Sequence, residues 1–349
     1  MKIIQNKHCD KEISGAIIIM NQMVRDNRFD NLKGIMIFLV LFCHYIEKMY
    51  ASWQDDLFTR YLYYFVYLFH MPVFIFISGY FSKKNNSDNY YKKTISNCLI
   101  PFLLFNLLYS LMGSRGNVLD SLLGFTYPQW TLWFLLSLFL WRVIVKPISL
   151  FKGAFFLSVL LSLYVGFTEL GGFLSLARTF GFLPYFLAGY LIPKQYVEKV
   201  RSLKKVYSLF AFAFAVVSLL VIQKLDVGIS ALYMSTPYNG MSGIASIGVR
   251  FLIIVTGFIC IGGFIAIVSE KQSILSAIGK NSIIIYLVHS GIIRALMKVS
   301  AIKINNGLVS IVFAAIFSAS ICLLFGNDRI ARIYHYIIGR ISNVIIKEE

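Results

Sequence analysis

"RFDNLKGIMIFLVLFCHYIEKM", residues 28–49, is apolar enough over its middle to cross a bilayer, yet it opens on Lys33 and carries a histidine, His44, deep inside. A helix spanning about 30 Å of hydrocarbon needs roughly 20 mostly apolar residues. His44 lies eleven positions after Lys33, about 16 Å along a helix, near the middle of such a span. An ionisable group there costs roughly 2.5–3.5 kcal/mol on insertion scales, so it is expected to face a polar interior instead of lipid.

The rest of the chain repeats this pattern. Of the 349 residues, 58% are hydrophobic and only 14% charged, which excludes a soluble protein of two domains and predicts an all-α, polytopic integral membrane protein. About ten spans are expected, near 34–50, 61–81, 97–113, 130–147, 153–168, 174–192, 205–222, 243–268, 278–297 and 308–325, forming a single bundle. "GAIIIM" (15–20) is too short for a signal-peptide core, so the 34–50 segment is expected to act as an uncleaved insertion signal. Residues 1–26 form a tail, 27–325 the transmembrane domain, and 326–349 a basic tail. Within the last, "RIARIYHYIIGRISNVIIK" (329–347) alternates cations with apolar residues as an interfacial helix does.

A net charge of +17 would suggest nucleic acid in a soluble protein; here the cations gather in short loops, so membrane lipids and not nucleic acid are the expected partners. Most lie in the N-terminal tail, "KKNNSDNYYKK" (83–93), Arg142 to Lys152, "KQYVEKVRSLKK" (194–205), Lys271 to Lys280 and the C-terminal tail. The positive-inside rule then puts both termini in the cytoplasm of a plasma membrane, the inner membrane of a bacterium. The five cysteines, at 9, 43, 98, 260 and 322, are scattered and read as small buried hydrophobes; no metal site is expected.

Depth counting brings two more of the five histidines to the level of His44: His289, entering from the cytoplasmic side near Ile278, and His70, counted from Tyr61. Glu47 follows His44 by three residues, on the same helix face, where a carboxylate can orient an imidazole. The outer half also holds Glu169, Arg178, Arg250 and Arg294. The inner edge holds Lys33, Lys83, Lys84, Lys92, Lys93 and Arg142, a rim suited to phosphates. "HMPVFIFISGYF" (70–81) places a proline and a Ser78–Gly79 pair in the second span, breaks that often line cavities.

These residues carry a resemblance. "RFDNLKGIMIFLVLFCH", with a basic residue, ten intervening positions and a histidine, resembles the opening signature of the acyltransferase 3 membrane proteins. "FHMPVFIFISGYF", "YYKKTISNCLIPFLLF", "WFLLSLFLWR", "ARTFGFLPYFLAGYLI" and "GKNSIIIYLVH" follow in the family's order, over roughly residues 27–325. The whole looks most similar to the branch of fucose 4-O-acetylase-like enzymes. The family often carries two arginines separated by two residues near the third span, where this chain has Lys92 and Lys93.

The resemblance implies an O-acyltransferase that moves an acetyl group from acetyl-CoA, a co-substrate, to a hydroxyl of a glycan. The acceptor would be a cell-envelope or exported polysaccharide or its lipid-linked precursor. A thioester is already activated, so the protein must align a hydroxyl, remove its proton and stabilise the oxyanion. His44 is the expected general base, with Glu47 as its partner and His289 and His70 as further catalytic candidates. Direct transfer and a two-step route through an acetyl-histidine both fit the sequence. Lys33 and the other inner cations would hold CoA phosphates, with Asp30 setting the Lys33 rotamer, and Arg178, Arg250 and Glu169 would serve the acceptor. From the spans alone, a proton-coupled sugar transporter or flippase is the alternative.

Cysteines introduced at 114–129 and 223–242 are expected to react with a membrane-impermeant reagent added outside, and cysteines at 83–93 and 194–205 to be protected. The reverse labelling pattern would overturn the orientation.

Overall fold

The computed structural model describes residues 26–83, 89–113, 126–203, 205–238, 243–299 and 304–346. Among them every regular element is helical. In chain order these are α1 Asn27–Met49, α2 Leu57–Tyr67, α3 His70–Ser82, α4 Tyr90–Thr94, α5 Ile100–Gly113, α6 Trp133–Ile148, α7 Ala154–Tyr164, α8 Leu176–Leu191, α9 Lys194–Arg201 and α10 Lys205–Lys224. They continue with α11 Gly243–Ile267, α12 Ile274–Lys280, α13 Ser282–Val299, α14 Gly307–Phe325 and α15 Asp328–Ile345. A π-helical turn, Ile95–Leu99, joins α4 to α5.

Seven helices or joined helices are long and apolar enough to cross a membrane, and the pair α12–α13 makes an eighth if taken as one span. The expected number of about ten is therefore approximate. Ala154–Phe167 is apolar but short, and α8 has 16 residues, so at 1.5 Å per residue they reach only about 21 and 24 Å. Lateral burial compensates α8, which packs against α3, α6 and α7.

Helix α1 runs through the core. Its N-cap Asp26 accepts a hydrogen bond from the Arg28 amide at 3.1 Å, satisfying one of the open N–H groups of the first turn. Buried Asn31 donates from Nδ2 to the carbonyls of Ser269 (2.8 Å) and Lys271 (3.0 Å) and accepts from Ser273 Oγ (2.7 Å), pinning the segment that leads into α12. α12 then lies against the first turns of α1 in backbone contact. A Cβ on Gly34 would collide with the Leu275 carbonyl, and one on Gly279 with the Asp30 carbonyl. A second such contact, Gly79 against Phe186 and Gly189 against Phe76, locks α3 to α8. Small residues that let backbones approach are the usual means of helix association in lipid, where burial of apolar surface gives no net drive.

α12 and α13 meet at a 78° bend. Asn281 at the bend donates from Nδ2 to the Gly326 carbonyl (2.8 Å) and to Asp328 Oδ1 (3.0 Å). Together with Lys280, it holds the Asp328 carboxyl below the usual carboxylate range. Asp328 begins α15, whose Ile333, Tyr336 and Ile337 are exposed while Ala331 and Ile338 are buried. The four cysteines among the described residues are free and buried.

Gly279→Ala and Gly34→Ala are expected to destabilise the protein by about 1–3 kcal/mol, the usual cost of overpacking. Gly248→Ala, where a Cβ meets nothing within 4 Å, is expected to be neutral or slightly stabilising. Thermal unfolding of the purified variants distinguishes them; equal midpoints would refute the role of the α1–α12 contact.

Candidate active site

Near the C-terminal end of α1, His44 and Glu47 stand one turn apart, and Nδ1 of His44 lies 3.2 Å from Oε2 of Glu47. An ionised carboxylate only accepts, so the shared proton sits on Nδ1, and in the neutral imidazole Nε2 then keeps its lone pair. Glu47 is held in turn. Lys48 Nζ donates to Oε1 at 2.7 Å, and the Tyr63 hydroxyl lies 3.4 Å from Oε2 and 2.8 Å from the hydroxyl of Tyr233. Such a second layer of hydrogen bonds fixes both the tautomer and the ring plane of a working histidine.

The His289 ring lies 5.5 Å from that of His44, with 28° between their planes. Its Nδ1 is 2.6 Å from the Tyr286 carbonyl, so Nδ1 carries the proton. The opposite nitrogen, Nε2, is buried and has no hydrogen-bond partner among the described residues. His70 begins α3 after the break at Phe69, its Nδ1 2.9 Å from the Val66 carbonyl. Its ring meets Tyr67 edge-on at 4.5 Å.

His44, Glu47 and His70 line one cavity of about 200 Å³ together with Lys48, Tyr67, Trp130, Trp133, Arg178 and Tyr233. His289 packs directly behind His44. The cations at this end rest on rings: Arg178 over Trp133 at 5.1 Å, Lys48 over Trp130 at 5.2 Å and Arg294 over Trp130 at 3.5 Å, placements that stabilise a desolvated cation. Trp130 itself has φ +49°, a left-handed conformation that a bulky residue rarely adopts. Leu174 and Ser175, just before the helix that carries Arg178, share that conformation. Strain of this kind gathers where side chains must be aimed.

At the other end of α1, Lys33 and Arg142 line a second cavity of about 170 Å³ with Ser78, Phe81, Ser282 and Tyr286. Lys33 Nζ is 2.7 Å from Asp30 and 5.3 Å from the Phe81 ring centre. Arg142 donates to Ser82 Oγ and to Cys98 Sγ, both at 3.3 Å. A single layer separates the two cavities. Tyr286 lines the inner one, donates its hydroxyl to the Thr131 carbonyl and packs edge-on against Phe134, and Thr131 lines the outer one.

Not every candidate joins these two sites. Lys83 and Lys93 are exposed and Lys92 is half-buried, and none lines the inner cavity; Lys84 lies outside the described residues. Glu169 is exposed and lines neither cavity. Arg250 is buried at a third cavity, on the far side of the segment 227–238. No group of three or more His, Cys, Asp or Glu side chains among the described residues is arranged to hold a metal. Sequence reasoning missed Lys48, Tyr63, Tyr67, Trp130, Trp133 and Tyr233. Tyr63 and Tyr67 are four apart, on one helix face, and their rings stack at 4.6 Å, a spacing that could have flagged them.

Comparison with known proteins identifies the family. Nodulation protein NolL of Sinorhizobium fredii is 22% identical over 348 residues, covering 90% of this chain and 92% of the relative. Nodulation protein NolL of Mesorhizobium japonicum is 27% identical over 139 residues, 37% of each chain. No solved structure matches the chain. Residues 26–326, which hold both ends of α1 and all three histidines, match the model of a family described as an acyltransferase domain, and the chain belongs to that family, acyltransferase 3, as a membrane-embedded acyltransferase.

Proposed function

We propose that the protein is an O-acetyltransferase of the bacterial plasma membrane that takes its acetyl group from acetyl-CoA and passes it to a sugar hydroxyl. The acceptor is an envelope or exported polysaccharide or its lipid-linked precursor. The observation that carries this reading is the His44–Glu47 pair in a cavity one side-chain layer away from a second cavity lined by Lys33 and Arg142. A base stands on one side of the layer and a cationic anchor for phosphates on the other.

In this reading the Lys33 end faces the cytoplasm, where the CoA phosphates meet Lys33 and Arg142. The acceptor enters from the Glu47 end. As its hydroxyl oxygen adds to the thioester carbonyl, the proton passes to Nε2 of His44, and the Glu47 carboxylate stabilises the imidazolium that forms. Arg178, the cavity's guanidinium, is suited to the oxyanion or to a phosphate on the acceptor. Collapse of the tetrahedral intermediate breaks the carbon–sulfur bond, and the thiolate leaves with the proton that His44 gives back. His289 and His70, each with Nδ1 committed to a backbone carbonyl, pack around this base; in a two-step route His44 itself carries the acetyl group.

His44→Ala is expected to lower transfer of radiolabelled acetyl from acetyl-CoA by about 10²–10⁴-fold, the usual contribution of a general base, with normal membrane insertion. Glu47→Gln should cost less, about 10–100-fold, as loss of an orienting partner does. Retention of most activity by His44→Ala would transfer the base to His289 or His70. In the same assay Lys33→Arg should keep more activity than Lys33→Ala, whose defect should appear chiefly as a raised KM for acetyl-CoA. Equal losses in the two variants would contradict a charge-based role.

A further inference from the structure

The third cavity, about 350 Å³, is larger than the one at His44 and lies behind the segment 227–238. That segment is a partition: Leu232 and Tyr233 face the histidine cavity, while Val227, Ser230, Ala231 and Tyr238 face the third one. Arg250, in the third turn of α11, lines it and is only 3% exposed. Its Nη1 donates to the Ser162 carbonyl at 3.0 Å, and its guanidinium lies 5.0 Å from the Tyr238 ring centre. Among the described residues no carboxylate lies within ion-pair distance of it. One carbonyl and the Tyr238 side chain, by its ring and its hydroxyl, supply no countercharge to a cation within an apolar helix, where a buried charge without a counter-ion is costly.

The walls around it are built firmly. The Tyr238 amide donates to the Gly166 carbonyl (2.7 Å) and its hydroxyl to the Leu163 carbonyl (2.9 Å), and its ring fills the space a side chain at Gly166 would need. Hydroxyls of Ser230, Thr236 and Ser246 line the space, and the exposed carboxylate of Asp226 stands at its mouth. On the same helix Ile244 and Phe251 are 86% and 51% exposed, as expected of side chains that meet lipid. The cavity therefore combines one buried cation, several hydroxyls and a peripheral carboxylate beside a lipid-facing surface.

We propose that this cavity binds the headgroup of an anionic, hydroxyl-bearing phospholipid, with the phosphate on Arg250 and the headgroup hydroxyls on Ser230, Thr236 and Asp226. The phosphate supplies the missing counter-charge through charge-assisted hydrogen bonds. The Asp226 carboxylate accepts from hydroxyls but repels a second anion, so a single phosphate carrying neutral hydroxyls fits better than a dicarboxylate. This site is independent of the chemistry assigned to His44.

The test uses the full chain in nanodiscs of phosphatidylcholine with or without phosphatidylglycerol. Native mass spectrometry reads retained lipid, and soluble glycerol 1-phosphate is added as a competitor. Wild type is expected to retain phosphatidylglycerol selectively; Arg250→Gln should lower retention at least tenfold, Arg250→Lys less, and Lys224→Gln, at an exposed surface cation, should leave it unchanged. Displacement by glycerol 1-phosphate would show that the headgroup alone is the ligand, and retention despite it that the lipid chains are needed. Equal retention of the two lipids, or equal retention by wild type and Arg250→Gln, overturns the proposal. Should Arg250→Gln fail to fold, the double variant Thr236→Val, Ser246→Ala must lower retention at least threefold, and unchanged retention there also overturns it.

Discussion

Backbone contact between α1 and α12, made possible by Gly34 and Gly279, is the constraint on which the rest depends. It fixes one helix that carries Lys33 near its first turn and His44 about 16 Å further along, so the residues proposed as phosphate anchor and base are held on a single rod. Asn31 adds three hydrogen bonds to the same junction. The 78° bend after α12 then redirects α13, which carries His289 to within ring contact of His44. A helix that slid by one turn at the glycines would separate these groups by about 5 Å.

Cations at the Glu47 end share one solution to burial. Where carboxylates are few, guanidinium groups lie on indole or phenol faces: Arg178 on Trp133, Arg294 on Trp130, Arg250 on Tyr238. A ring stabilises a cation without neutralising it, which leaves the positive charge available to an incoming anion. Glu47 is the exception. It receives His44, Lys48 and Tyr63 at once, and its charge is spent on holding the imidazole.

Much of this was legible in the sequence, and the exceptions have physical causes. Apolar runs and depth counting located the helices and brought His44 and His289 together, because both features depend only on rise per residue. Counting could not distinguish Arg178 from Arg250, which lie in the same half of the bundle, because the segment 227–238 comes between them. The expected count of about ten is approximate where helices are short, since a buried helix such as α8 need not match the bilayer thickness. Trp130 and Asp226, both with positive φ, line cavities, and neither is the glycine that would mark such a turn in a sequence.

The layer at Tyr286 has a consequence for the thickness of the membrane barrier. In the proposed reading the two cavities open to opposite faces of the membrane, and the path between them, where Tyr286 meets Thr131, is thinner than the hydrocarbon elsewhere. The phenol hydroxyl is tied to the Thr131 carbonyl and its ring is backed by Phe134, so no chain of waters is needed to satisfy the polar atom. In the proposed reading, reactants from two compartments are held close together with the hydrogen-bonded Tyr286 between them.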